Sequence, residues 1–419
     1  MKESRTLECK ETVTNSFLKT VSAYANYGRG QIVFGIDDEG KTSGISDIEA
    51  ARLSIENRIN DSISPMPSYT LETDEKNGVI ILTVEEGLHK PYLYHAKAYC
   101  RHDTATVEVD RIELTRLILE GQNLSYEELP SQKRDLTFEC LGRKLDEVQG
   151  THGITSDILR TFGLEDAEGT YNIAAELLAD ANVYPGIDAV RFGETISIFL
   201  DRRTFEHESV LKEYDDALGM FRTYYTYEEI VGAQRVARER IPEDAFREAL
   251  ANALVHRQWD VPQHVRISMF EDRVEIVSPG GLPRGITEQE YISGQASILR
   301  NPILGNVFFR LHIIERFGTG VARIRDAYRQ SLREPDFAVF ENSIKVTLPV
   351  LVESLAQNLS EDARRVCQLL AGRRMAISEI ASATGFSRSK LRGMLKALEE
   401  QGLISVQGTG RGTRYVGKA

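Results

Sequence analysis

The stretch Glu248-Ala-Leu-Ala-Asn252-Ala-Leu-Val-His256-Arg257 sets three polar residues at i, i+4 and i+8 of an otherwise apolar run. On a helix these positions share one face and project along successive turns. Phe246, Leu250, Ala253 and Leu254 cover the other sides, and Pro242 followed by Glu243 and Asp244 marks a helix start. A carboxylate and a carboxamide one turn apart in apolar surroundings suit a Mg²⁺-nucleotide site. Asn252 would offer a hard oxygen to Mg²⁺, which keeps waters and phosphate oxygens as its other ligands. Glu248 would orient or deprotonate a water aimed at a terminal phosphate. The alternative is a polar helix face in contact with water.

Downstream, Arg273-Val-Glu-Ile-Val-Ser278-Pro-Gly280-Gly281-Leu-Pro283 reads as a strand ending in a Gly/Pro turn. Arg300-Asn301-Pro302-Ile-Leu then leads to Glu315-Arg316-Phe317-Gly318-Thr319-Gly320-Val321. Glycines let main-chain amides approach phosphates, and Gly318 and Gly320 precede a helix-compatible segment whose N-terminus favours anions. The three pieces, in this order, resemble the N-box and the two glycine boxes of the GHKL (Bergerat-fold) ATPase superfamily. The resemblance implies ATP and Mg²⁺ as cofactors. It assigns Asn252, His256, Ser278, Gly280, Gly281, Gly318 and Gly320 to nucleotide binding, Asn252 to the metal and Glu248 to catalysis. One departure matters: Ser278 stands where the superfamily has an Asp that recognises the adenine amino group. A neutral hydroxyl accepts that hydrogen bond more weakly, so weak ATPase activity and nucleotide sensing without hydrolysis both remain open.

The N-terminus carries a second constellation. Glu3-Ser4-Arg5-Thr6-Leu7-Glu8-Cys9-Lys10 is followed by the apolar run from Phe17 to Asn26, then by Gly30-Gln-Ile-Val-Phe-Gly35-Ile-Asp37-Asp38-Glu-Gly40. These read as a short strand, a helix, and a strand ending in an acidic turn. The blocks E-S-x3-E-x-K and G-x-I-x-x-G-[IV]-D-D-x-G resemble the Schlafen AlbA-like domain over roughly residues 1 to 120. That family is associated with nucleic-acid binding, and some members cleave RNA. Carried over, Glu3, Glu8 and Asp37 or Asp38 form a candidate three-carboxylate metal site. The plain alternative has Glu3 and Glu8 solvated and the Asp pair capping a turn. Lys10, Arg101 and His102 are candidate phosphate contacts.

Near the C-terminus, Glu361 to Leu370 reads as a first helix, and Ile377 to Thr384 with Gly385 as a second helix and turn. Ser387 is placed to cap a third, basic helix starting at Arg388 and stopping at Gly402, with Leu391, Leu395 and Leu398 as its apolar stripe. Leu403 to Val416 forms a hairpin with a basic tip. The arrangement resembles a winged helix-turn-helix. Residues 361–419 hold eleven Lys/Arg against five Asp/Glu, a net of +6, which leaves −18 on the remainder of a chain totalling −12. A basic module on an acidic body is the footprint of a phosphate-backbone reader. Arg388, Lys390 and Arg392 are expected toward the major groove, and Arg411 and Arg414 on the wing. A winged helix that contacts only protein is the alternative.

The chain's 419 residues suffice for two or three domains. Cys9, Cys100, Cys140 and Cys367 are scattered without a C-x-x-C pair, which points to free thiols and no zinc site. Neither a signal peptide nor a long apolar run is apparent, so a cytoplasmic location with no membrane contact is expected. Trp259 is expected in the core or an interface. The expected fold class is α+β multidomain. It comprises an AlbA-like α/β domain at 1–125, a connecting segment plus GHKL-like α/β sandwich at 135–350, and a winged helix-turn-helix at 360–419. Linkers are expected at 120–134 and 347–360, and a single strand at 190–200. This order of modules resembles bacterial and archaeal transcriptional regulators. It implies a homo-oligomer that binds DNA, and RNA as a second nucleic-acid partner, under nucleotide control. A metal-dependent nuclease using the N-terminal carboxylates is the alternative. An ATP-dependent remodeller ranks third, and helicase-type motor activity is not expected.

Overall fold

The computed structural model describes residues 2–417 apart from 38, 151–152, 284, 295–297, 316–317, 352–358, 372, 401–402 and 409, and only the main chain of residue 411. Asp38, Arg316 and Phe317 and the side chain of Arg411 therefore lie outside the described residues. The chain divides into two units, Met1–Tyr126 and Glu127–Ala419.

In the first unit the helix Phe17–Tyr27 connects two parallel strands, Leu7–Lys10 and Gly30–Phe34, and the strands Val79–Val84 and Tyr69–Asp74 extend the sheet antiparallel. Phe17, Leu18, Val21 and Ala25 meet Ile32, Phe34, Ile80 and Leu82 in one core. The helix sits so close that a Cβ on Gly30 would lie 2.4 Å from the Tyr24 ring, which explains glycine at the start of that strand.

The second unit is built on a six-stranded sheet. Its order is Phe199–Phe205, Ile187–Phe192, Val265–Met269, Arg273–Pro279, Ser343–Pro349, Asp336–Phe340, with only the Ile187–Phe192 and Val265–Met269 pair parallel. The single strand expected at 190–200 is two antiparallel strands, because residues 193–198 reverse the chain. Val274, Ile276 and Ser278 are buried while Arg273, Glu275 and Val277 are half-buried, the period-two signature of a sheet covered on one face. The covering layer includes the helix Glu243–Val255, which carries the polar trio. It packs on Arg273–Pro279, Ser343–Pro349 and the helices Val210–Tyr225, Pro302–Arg310 and Gly320–Ala327. Phe246 stacks on Phe221 with centroids 4.0 Å apart. Burying an aromatic of this size contributes about 2–3 kcal/mol. Contact on so many sides is why the run around the trio is apolar.

At the C-terminus the helices Glu361–Leu370, Ile377–Thr384 and Arg388–Glu400 pack with the sheet Arg374–Met375, Arg414–Gly417, Ile404–Gln407. Leu391, Leu395 and Leu398 join Val366, Leu370 and Ile380 in its core. The Ser387 hydroxyl accepts from the Lys390 amide at 3.2 Å, and Gly385, at φ +74°, ends the preceding helix.

Two side chains set the register of the helices around the trio. Asn301, 1% exposed, donates from Nδ2 to the carbonyls of Val255 (2.7 Å) and Arg257 (2.8 Å), closing the C-terminus of the trio helix. Pro302 then opens the next helix, where a missing N–H costs nothing. The carboxylate of Glu127, wholly buried, accepts from the amides of Ile303 (2.5 Å) and Leu304 (3.0 Å). Burial pushes Glu127 up to about 8, although the two amides favour its charged form. Residues 120–134, expected as a linker, are thus ordered. They include the end of the helix Arg111–Gly121, the 3-10 turn Tyr126–Glu128, and buried Ser131 bonded to Glu176. Residues 347–349 of the second expected linker belong to the strand Ser343–Pro349, and residues 352–358 lie outside the described residues. Replacing Glu127 by Ala strands two buried amides. Glu127→Ala is expected to lower unfolding stability by about 2–4 kcal/mol, read as a reduced urea midpoint with unchanged slope.

Candidate functional site

The trio helix and the helix Pro302–Arg310 face each other across a cavity of about 350 Å³, within the range of small-molecule sites. Glu248, Asn252 and His256 line one wall. Asn306, Phe309 and Arg310 line the other, and Glu315, Gly318 and Gly320 close one end. Of the residues singled out in the sequence, Glu248, Asn252, His256, Gly318 and Gly320 come together here. The opposite wall escaped sequence reading because a helix opening on Asn-Pro carries no phosphate-type signature.

Ser278, Gly280 and Gly281 are not among the lining residues. Ser278 is buried under the trio helix and donates to the Ala253 carbonyl at 2.6 Å. The Gly280 amide donates to the Asn342 carbonyl at 3.0 Å. A Cβ on Gly281 would lie 2.2 Å from the Glu341 carbonyl oxygen, so glycine there serves the close approach of the 341–342 turn.

Glu248 is 6% exposed, and burial raises its pKa, opposed by Arg323 at 3.9 Å and by a hydrogen bond from Asn252 Nδ2 at 3.2 Å. That bond engages the carboxamide nitrogen of Asn252 and not its oxygen. Desolvation, then the charge of Arg300, holds His256 down at about 4, so its imidazole is neutral at pH 7. Among the described residues no three His, Cys, Asp or Glu side chains are grouped to hold a metal. A Mg²⁺ ion here would take the Asn252 oxygen and Glu248 as its protein ligands, with phosphate and water as the remainder.

In the first unit the structure answers the three-carboxylate expectation differently. Glu8 is 5% exposed. Its Oε2 accepts from Thr20 Oγ1 and Arg101 Nη1, both at 2.5 Å, and Lys10 Nζ lies 2.8 Å from Oε1. Arg101 also donates to the Ser4 and Leu7 carbonyls, so it is a buried structural partner and not a phosphate contact. Glu3 accepts from the Cys9 amide. Asp37 caps a turn, accepting from the amides of Glu39 and Lys41. Glu3, Glu8 and Asp37 do not form a metal-holding cluster, because each carboxylate is committed to its own neighbours; Asp38, the alternative third carboxylate, lies outside the described residues.

The same turn carries a string that bears on motor activity. Gly35-Ile-Asp-Asp-Glu-Gly40-Lys41-Thr42 spells the P-loop consensus G-x4-G-K-[ST], so sequence alone does not dispose of a motor. In a P-loop the amides cradle phosphate and a helix follows at once. Here the amides of Glu39, Gly40 and Lys41 are bonded to Asp37, Lys41 Nζ pairs with Glu39, and the next helix starts only at Ile48.

On the winged helix, Arg388 and Arg392 are exposed one turn apart on the same face of the helix Arg388–Glu400. Lys390 is held by Asp362 at 2.5 Å and lies over the Phe386 ring. Arg414 is half-buried on the wing strand, and the exposed pair Arg373 and Arg374, where the strand Arg374–Met375 begins, was not foreseen.

Two outcomes follow from this geometry. A Cβ on Gly320 would lie 2.5 Å from Asn252 Nδ2 and 2.6 Å from Glu248 Oε1, both flexible ends. Gly320→Ala should therefore displace these two side chains at less than about 1 kcal/mol of stability, and abolish ligand binding in the pocket by calorimetry. His256 sits at about 4 when folded against an ordinary 6.5. Below pH 6.5 the unfolded chain takes a proton that the folded chain refuses, so this contribution to stability is lost as pH falls from 6.5 toward 4. His256→Gln should flatten that part of the stability–pH curve.

Residues 3–110 match the family described as "Schlafen, AlbA_2", residues 263–348 that described as "Putative ATP-dependent DNA helicase recG C-terminal", and residues 360–406 that described as "Bacterial regulatory protein, arsR family". The middle match begins after the trio helix. No curated protein matches the chain. Among solved structures, the DIP2311 protein of Corynebacterium diphtheriae aligns over 99% of this chain and 92% of its own, at 20% identity and a TM-score of 0.50, a likeness of fold. The N-terminal domain of a RecG-related protein of Nitrosomonas europaea aligns over 26% of this chain and 85% of its own, at 22% identity and a TM-score of 0.20. No described helix is long and apolar enough to cross a membrane. The chain thus combines a Schlafen AlbA-type domain, an ATPase-type domain of the RecG C-terminal kind and a DNA-binding helix-turn-helix of the arsR regulatory kind.

Proposed function

We propose that this protein is a cytoplasmic DNA-binding transcriptional regulator whose DNA engagement or homo-oligomeric assembly is set by ATP, or a related nucleotide, in the pocket of the trio helix. The observation that carries this reading is the convergence of Glu248, Asn252, His256, Gly318 and Gly320 on one cavity. A nucleotide acts by binding one conformation better than another, since equal affinity for both shifts nothing. The exposed Arg388 and Arg392 supply the duplex contact, and two winged helices on a dimer would meet two half-sites. The AlbA-type unit adds a second nucleic-acid surface, through which RNA is a partner. Its carboxylates, committed as described, favour binding over cleavage.

Calorimetry with Mg²⁺-ATP is expected to give affinity on the order of micromolar for the wild type and none for Asn252→Ala. ATP is expected to change duplex affinity only in the wild type. Arg388→Ala and Arg392→Ala should each weaken duplex binding and lower the salt slope by about 1. Absence of ATP binding to the wild type would overturn the nucleotide part of the reading and leave a ligand-independent DNA binder.

A further inference from the structure

We infer that this chain pairs with a second copy of itself by exchanging a β-arm, residues 226–239, onto the open edge of the partner's six-stranded sheet. The inference rests on the homo-oligomer part of the reading above and names its interface. The arm is a hairpin of the strands Thr226–Val231 and Gln234–Glu239, turned at Gly232 (φ +65°). The two strands make a sheet of their own, and among the described residues neither bonds to a third strand. Every residue of the arm except Thr226 and Val236 is exposed, and Ile230 near its tip is 73% exposed. A lone two-stranded ribbon is marginally stable in water, so this one calls for support from another surface.

The six-stranded sheet has the matching defect. Among the described strands its edge strand Phe199–Phe205 bonds on one side only, to Ile187–Phe192. Such an edge presents unpaired N–H and C=O groups, which proteins ordinarily cover or blunt. A bulge at Leu200 blunts one end, yet Asp201–Phe205 is regular, and beside it Ile196, Ile198, Phe199 and Leu200 are all exposed. Single apolar residues scattered on a surface are ordinary, whereas four within five residues mark a contact surface.

The charges fix how arm and edge meet. The arm carries the doublet Glu228-Glu229, and the edge strand carries the doublet Arg202-Arg203. Run antiparallel, with Glu228 opposite Arg203 and Glu229 opposite Arg202, the arm lays Ile230 and Val231 on the Phe199 and Leu200 end. A parallel alignment would send that apolar tip toward Glu206 and His207 instead. The present partners of the four charges, Arg235, Arg238, Asp201 and Asp188, form solvent-accessible pairs that cost little to share. Tyr224, two residues before the arm, donates to Asp201 of its own chain's edge strand at 2.9 Å. Arm and edge thus start from neighbouring places, so a single two-fold axis lets both copies exchange at once. Residues 226–239 and 196–205 supply twenty-four residues from each copy, against the roughly 20–30 of a stable interface. Glu239, the last residue of the arm, accepts from the Glu243 amide at 2.9 Å and ties the arm to the first turn of the trio helix.

The test is sedimentation of the full-length chain over a range of concentrations, with and without Mg²⁺-ATP. The wild type should form a dimer. Leu200→Lys and Val231→Lys, both at exposed positions, should each weaken it at least about tenfold, with circular dichroism showing that each variant is folded. Thr204→Cys combined with Tyr227→Cys sets two thiols opposite each other in the stated register. Mild oxidation should link this double variant between chains to an extent that neither single variant reaches. A dimer that withstands both lysines, or a disulfide closed within one chain, overturns the inference while the homo-oligomer reading stands. A wild type that stays monomeric under both conditions removes that reading and the inference together.

Discussion

The cavity exists because Asn301 ties two helices at a single crossing. Its carboxamide satisfies two carbonyls that the trio helix leaves open at its end, and the next residue, Pro302, starts the opposing helix. Arg257 lies wholly buried beside this tie, donating to the carbonyls of Pro185, Gly186 and Gln263 and stacking on Trp259 at 4.0 Å. Main-chain carbonyls at the rim of the sheet are thereby gathered onto one guanidinium. The trio helix is held by polar bonds at one end and approached closely by Gly305 of the helix Pro302–Arg310 and by Gly320 of the helix Gly320–Ala327, and a cavity remains between these supports.

Much of this was legible in the sequence, for reasons that differ by region. Periodicity and capping residues reveal the winged helix because Ser387, Gly385 and the Leu391, Leu395, Leu398 stripe act through local geometry. The strand, helix and strand at the N-terminus are equally local. The trio was legible as one helical face, but its partners were not. Asn306, Phe309 and Glu315 reach the cavity through tertiary packing, which leaves no periodic trace. The roles of Glu8 and Arg101 were misread for a related reason. They lie 93 positions apart, and only the fold shows that each is the other's counter-charge.

Ser278 shows how a family pattern and a local environment separate. The position follows the strand Arg273–Pro279 in its alternation and lands on the covered face of the sheet. A hydroxyl there is stable because it donates to Ala253. An uncompensated carboxylate at the same depth would face the steep cost of burying charge. The serine thus fits a sheet packed hard against its helix.

The Asp37 turn has a wider consequence. Its carboxylate is covalently tethered within four residues of the amides it engages, so it acts on them at an effective concentration far above that of any dissolved phosphate. At the amides of Glu39, Gly40 and Lys41 the loop is self-liganded. A consensus string can survive intact while an internal anion takes the place the string would otherwise keep open.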